Sequence, residues 1–69
     1  MIVHVNGQPV RVEDGATVAA LLDGLDVPAS RRGIAVAVDA QVVPRTEWDE
    51  HAVPEGARVE LVAAIQGGA

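Results

Sequence analysis

The residues able to do chemistry are few, and most are placed where they cannot cooperate. The two histidines, His4 and His51, lie far apart in the chain. Neither has a Ser, Cys or Asp beside it in a nucleophile–base arrangement, and their spacing matches no helical metal-binding pair. Each therefore reads as a strand-face or solvent-exposed histidine. Glu47, Asp49 and Glu50 crowd one loop where a cation could sit. Their spacing does not supply the ligand ladder of a calcium loop, so a hydrated charged loop is the preferred reading. Arg31-Arg32 could clamp a phosphate or carboxylate bidentately, but an exposed pair contributes little energy and is read as a solvating one. The chain has no cysteine, which excludes disulfides, zinc fingers, iron–sulfur clusters and thiol catalysis. What remains is Gly67-Gly68. Lacking Cβ atoms, these residues can thread a narrow channel in backbone conformations closed to other residues. A terminal glycine carboxylate is also sterically open to attack on a nucleotide phosphate. The competing reading is a frayed end.

Any such site must be positioned by one small domain, because the chain has 69 residues. A chain of this size buries only about 60% of its unfolded surface. An apolar content of 49% is enough for a core, and so argues against a disordered chain. That core must be aliphatic, since Trp48 is the single aromatic residue. Ten acids against five bases, all arginine, give a net charge of −5. This balance argues against nucleic acid, whose phosphates would be repelled, and suits either plain solubility or a partner with a basic patch. No membrane-length apolar run and no basic start before an apolar run is present. The expected location is the cytoplasm, with no membrane partner.

Ile2-Val3-His4-Val5 and Gln8-Pro9-Val10-Arg11-Val12 flank Asn6-Gly7, a strong signal for a hairpin with a type I′ turn. Pro9 places the start of the second strand after it or puts that strand at a sheet edge. Val10 and Val12 should face inward and Arg11 outward. Thr17 is positioned as an N-cap for a helix over Val18 to Leu25. Val18, Leu21, Leu22 and Leu25 share one face of it, while Ala19 and Asp23 point away. Gly24 weakens the helix end and Pro28 stops it. Ile34, Val36 and Val38 alternate with alanines as on a strand. Asp39-Ala40 is a turn, and Gln41-Val42-Val43 is a returning strand ended by Pro44. An irregular or 3₁₀ segment follows, pinned by Trp48 and Val53, before a last strand over Arg58 to Ala63.

The order β-β-α-β-β-β gives an α+β layer with one main helix on one face of a mixed sheet. The last strand is expected beside the first and parallel to it, because the helix crossover lies between them. This is a β-grasp, or ubiquitin-like, arrangement over residues 1–63, with residues 64–69 as a mobile tail. Val62 and Ile65, with Gln66 beside them, have little core left to fill. They are expected to dock on a partner together with the tail, the alternative for the apolar pair being ordinary edge packing.

Along its whole length the chain resembles the ThiS family of sulfur carriers. The similarity is carried by Ile2-Val3-His4-Val5-Asn6-Gly7, by Gly15-Ala16-Thr17-Val18-Ala19-Ala20-Leu21-Leu22 and by Val36-Ala37-Val38-Asp39. It continues through Val42-Val43-Pro44-Arg45-Thr46-Glu47-Trp48, Gly56-Ala57-Arg58-Val59-Glu60-Leu61-Val62 and Gly67-Gly68. The Val-Val-Pro-Arg-x-x-Trp segment is the most specific of these and is similar to ThiS rather than to the molybdopterin carriers. The resemblance implies a β-grasp fold and a protein that is a co-substrate rather than an enzyme. It also implies that the protein holds no cofactor of its own. A ThiF-like adenylyltransferase would use ATP and magnesium to adenylate the terminal glycine carboxylate, here assigned to Gly68. A persulfide made by a donor such as a cysteine desulfurase would convert it to a thiocarboxylate. A ThiG-like thiazole synthase would accept the sulfur for the thiazole of thiamine.

The chain departs from the family pattern at the tail, which reads Gly67-Gly68-Ala69. A peptide-bonded Gly68 has no carboxylate to activate. Removal of Ala69 by a peptidase is the preferred expectation. Activation of Ala69 itself and a disabled tail are the alternatives. Two other functions stay open: a sulfur carrier for molybdopterin or cysteine synthesis, and a β-grasp binding module whose tail does no chemistry.

Overall fold

A computed structural model describes residues 1–25 and 33–63. The elements run β1 (Ile2–Val5), β2 (Gln8–Arg11), α1 (Val18–Gly24), β3 (Ile34–Val38), β4 (Gln41–Val42), a 3₁₀ turn (Arg45–Glu47) and β5 (Arg58–Ala63). The sheet order is β2-β1-β5-β3-β4. β1 and β5 are parallel, with Val5 opposite Val59, and the other neighbours are antiparallel. This is the β-grasp order expected from the sequence, with the last strand at the centre.

Two turns set the hairpins. Asn6 and Gly7 have φ of 49° and 84°, and Asp39 and Ala40 have φ of 50° and 71°. Both pairs thus satisfy the requirement of a type I′ connection for positive φ at its two central residues. Pro9 lies inside β2 rather than before it, which is tolerated because β2 is an outer strand. β4 is shorter than expected. It stops at Val42, but the Val43 amide still donates to the Val36 carbonyl at 2.8 Å.

Thr17 caps α1 as expected, its hydroxyl accepting from the Ala20 amide at 3.2 Å, and the helix ends at Gly24. Pro28 lies outside the described residues. Val18, Leu21 and Leu22 pack onto Val3, Val36 and Val59 in a single core. One expectation fails: Ala19 is buried, 8% exposed, rather than facing solvent. The chain after the 3₁₀ turn crosses the start of the helix and covers it. Along that crossing Ala19 donates to the Trp48 carbonyl at 3.0 Å, Val18 to His51 at 2.9 Å, and Val53 to Ala16 at 2.8 Å. Trp48 and Val53, 3% and 2% exposed, anchor the crossing as predicted.

The helix takes one face of the sheet. On the other face Ile2, Val42 and Val62 are the exposed large apolar residues, at 45%, 74% and 59%. They are outward by register. Ile2 pairs with Arg11, Val42 with Ala37 and Val62 with Ala35.

Candidate functional site at the end of strand β5

β5 is the element that leads toward Gly67-Gly68. Its inward residue Val59 is fully buried, and Arg58, Glu60 and Val62 point outward. Alternation along the strand thus anchors it to the core by one edge of its residues and leaves the other for contact.

Side chains from both hairpin turns hold its backbone. At its start the Asp39 amide donates to the Arg58 carbonyl at 2.8 Å, and the Asp39 Oδ1 accepts from the Arg58 amide at 2.9 Å. Toward its end the Asn6 Oδ1 accepts from the Leu61 amide at 2.9 Å, and the Asn6 Nδ2 donates to the Leu61 carbonyl at 3.2 Å. Asn6 and Asp39 occupy equivalent first positions of their turns, and the positive φ turns each toward the central strand. Sequence reasoning assigned them to turns only. A short polar side chain at the first position of a type I′ turn was the available signal, but nothing local identifies a partner 55 residues away.

Beside β5 the outward face carries Ala35 and Ala37 of β3 and Val42 of β4. Small alanines between two valines make a shallow apolar floor next to Val62. Toward β1 the face is polar, with a shallow groove lined by His4, Asn6, Gly7, Gly56, Arg58 and Glu60. The larger recess lies elsewhere, between β2, the turn at Glu13–Gly15 and the outer side of α1.

The residues singled out in the sequence divide sharply. Val62 is on the surface, as a docking residue must be. Ile65, Gln66, Gly67, Gly68 and Ala69, and with them the proposed tail 64–69, lie outside the described residues, as do Arg31 and Arg32. His4 is exposed on the outer face and His51 is half-buried in the crossing segment. Glu47, Asp49 and Glu50 are exposed, and among the described residues no three or more His, Cys, Asp or Glu gather where they could hold a metal ion. No helix among the described residues is long and apolar enough to cross a membrane.

The segment Val42 to Trp48, so specific in sequence, is a structural staple. The Trp48 Nε1 donates to the Val43 carbonyl at 2.9 Å, Pro44 precedes the 3₁₀ turn, and the Arg45 guanidinium lies 5.9 Å from the Trp48 ring centroid. That distance is within cation–π range.

The comparisons agree with this geometry. The model of the ThiS family matches residues 3–68. The sulfur carrier protein ThiS of Escherichia coli (strain K12) is 37% identical over 68 residues, covering 99% of this chain and all of that protein. The crystal structure of a thiamine biosynthesis protein (ThiS) from Geobacter metallireducens superposes with a TM-score of 0.83 at 31% identity, covering 99% of this chain and all of that one. A solution structure of a thiamine biosynthesis protein from the same organism gives 0.74 at 30% identity, covering the whole of this chain and 90% of that one.

Proposed function

The chain belongs to the ThiS family, and from that membership we propose that it is the sulfur carrier of thiamine biosynthesis, a protein co-substrate and not a catalyst. The observation that carries the reading is the full-length family match, which includes Gly67 and Gly68, together with a β-grasp whose central strand leads toward them.

The chemistry is carried by the tail. An oxygen of the Gly68 carboxylate attacks the α-phosphorus of ATP, with magnesium on the phosphates, in the site of a ThiF-like adenylyltransferase. Pyrophosphate leaves. The acyl-adenylate has a good leaving group where the carboxylate had none. The terminal sulfur of a persulfide, supplied by a cysteine desulfurase, attacks the acyl carbon and expels AMP. A thiol then cleaves the acyl disulfide, leaving the Gly68 thiocarboxylate and an oxidised disulfide. The thiocarboxylate passes its sulfur to a thiazole synthase. Ala69 must first be removed by a peptidase, since the chemistry needs a free carboxylate on Gly68.

The docking surface proposed for these enzymes is the outward apolar floor of Ala35, Ala37, Val42 and Val62, joined by Ile65 and Gln66, with Gly67 and Gly68 threading into the active site. Its support is the exposure of Val42 and Val62 on a sheet face that the helix leaves open. The rest of that face carries both charges, so the apolar strip gives the partner a defined place to land.

The test is the intact mass of the protein purified from cells that also make the activating enzyme. Loss of one alanine residue with one oxygen exchanged for sulfur is the expected result. An unchanged full-length mass, after ATP, magnesium, a sulfur donor and the enzyme are supplied, overturns the reading. A thiocarboxylated chain that a molybdopterin or cysteine synthase consumes, and a thiazole synthase does not, keeps the carrier chemistry and changes the acceptor.

A further inference from the structure

We propose that Asn6 is a positioning residue for the tail: its side-chain amide takes the place of a missing strand and holds the end of β5 on both flanks as far as Leu61. The inference rests on the carrier reading above.

The main-chain ladder between β1 and β5 is short. It has two registered pairs, His4 with Arg58 and Val5 with Val59. The Asn6 amide makes the next bond, to the Val59 carbonyl at 2.9 Å. At that point β1 turns away, because Asn6 and Gly7 have positive φ. A parallel partner would have gone on to accept from the Leu61 amide and donate to the Leu61 side. The Asn6 side chain does both, Oδ1 accepting at 2.9 Å and Nδ2 donating at 3.2 Å. A carboxamide has the same donor–acceptor pair as a peptide group, so the ladder continues by one step without backbone.

The consequence is a matter of how firmly the end of β5 is held. On its other flank β5 is paired with β3 as far as Ala63, opposite Ile34. With the amide in place β5 is held on both flanks through Leu61. Without it, two-sided support ends at Val59. Glu60 and Leu61 then keep only the β3 flank, so the end of β5 from which the tail leaves is held less firmly in place. A carrier must deliver one carboxylate into a remote active site while its body rests on a separate surface. Delivery then depends on the effective concentration of the tail end, which is set by the length and stiffness of what links it to the body. The clamp acts on delivery and leaves docking alone.

Asn6→Gly isolates this role. Glycine suits the positive φ of the turn, so the hairpin is kept and the amide is lost. Asp39→Gly is the matched control. It removes the equivalent side-chain bond, at the Arg58 end of the same strand and away from the tail. Adenylation is followed as pyrophosphate release by the ThiF-like enzyme, using the form of the chain isolated from cells that make that enzyme. The expected result is a kcat about three- to tenfold lower for Asn6→Gly, from freeing residues that the clamp had ordered, with KM within twofold of wild type. Asp39→Gly keeps the wild-type kcat. Asn6→Asp, which retains an acceptor for the Leu61 amide but presents no donor to its carbonyl, falls between. Hydrogen exchange should show faster exchange at Leu61 in Asn6→Gly and an unchanged rate at Val36.

Wild-type kinetics for Asn6→Gly, or equal losses in Asn6→Gly and Asp39→Gly, overturn the positioning role while leaving the carrier reading intact. Unchanged exchange at Leu61 overturns the clamp itself. A wild-type chain that is never adenylated overturns the carrier reading and this proposal with it. Should Asn6→Gly fail to fold, Asn6→Asp against Asp39→Gly makes the same comparison.

Discussion

The indole of Trp48 donates its one N–H to the Val43 carbonyl at 2.9 Å, five residues back and inside the core. This bond closes the loop between β4 and the crossing segment. It lets the single aromatic residue be buried to 3% exposure without an unpaired donor.

Trp48→Phe keeps a ring in the site and removes that donor. The loss of a buried hydrogen bond and a smaller ring should together cost about 2–3 kcal/mol. Urea unfolding followed by circular dichroism should show a lower midpoint at an unchanged slope. A midpoint equal to that of wild type would mean that the indole N–H contributes nothing.

Ala40 sits at φ 71° in the β3–β4 turn, where an L-residue with a Cβ is strained by roughly 1–2 kcal/mol. Ala40→Gly relieves this and gives back part of the gain as unfolded-chain entropy, about 0.4–1 kcal/mol. Thermal unfolding should move upward by a few degrees, since about 4–8 °C corresponds to 1 kcal/mol in a domain of this size.

Thr17 closes the first turn of α1 through its bond from Ala20. Thr17→Ala should lower stability by about 1 kcal/mol, and Thr17→Ser, which keeps the hydroxyl, by much less. Equal losses in the two variants would assign the effect to the threonine methyl instead of the cap.

Val62 and Val59 stand on opposite faces of one strand, 59% and 0% exposed. Val62→Arg should leave stability within about 0.5 kcal/mol of wild type, as surface changes generally do. It should weaken binding to the activating enzyme at least tenfold, measured by titration calorimetry. Val59→Asp should abolish folding, because it buries an unpaired charge at the sheet centre. Wild-type affinity in Val62→Arg would remove the outer apolar floor from the docking surface.

The fold was legible wherever the sequence signal is local. Asn6-Gly7 and Asp39-Ala40 announce turns, Thr17 announces a cap, and Ile34, Val36 and Val38 alternate because the β3 strand has one buried face. The placement of β5 beside β1, parallel to it, followed from how few residues the sheet has to close on. What was not legible depends on partners distant in the chain. Ala19 lies on the outer side of an isolated helix and is buried only because residues 48–53 fold over it. The Val42 to Trp48 segment identified the family but serves packing, and a conspicuous motif need not mark the chemistry. Asn6 read as a turn residue and is also a clamp, since its partner Leu61 is separated from it by nearly the whole domain. The tail itself was legible only as composition, two glycines after the last strand.

The amide that grips Leu61 also belongs to an asparagine followed by glycine. In that dipeptide the next backbone nitrogen meets little hindrance in attacking the side-chain carbon, because glycine has no Cβ. Ammonia is lost, a succinimide ring forms, and water opens it to aspartate or to an isoaspartyl linkage. In the folded domain both polar atoms of that side chain are held by Leu61, so the ring cannot close until the grip opens. Unfolded copies carry no such protection. The bonds that fasten the last strand therefore also shield the side chain that makes them from this reaction.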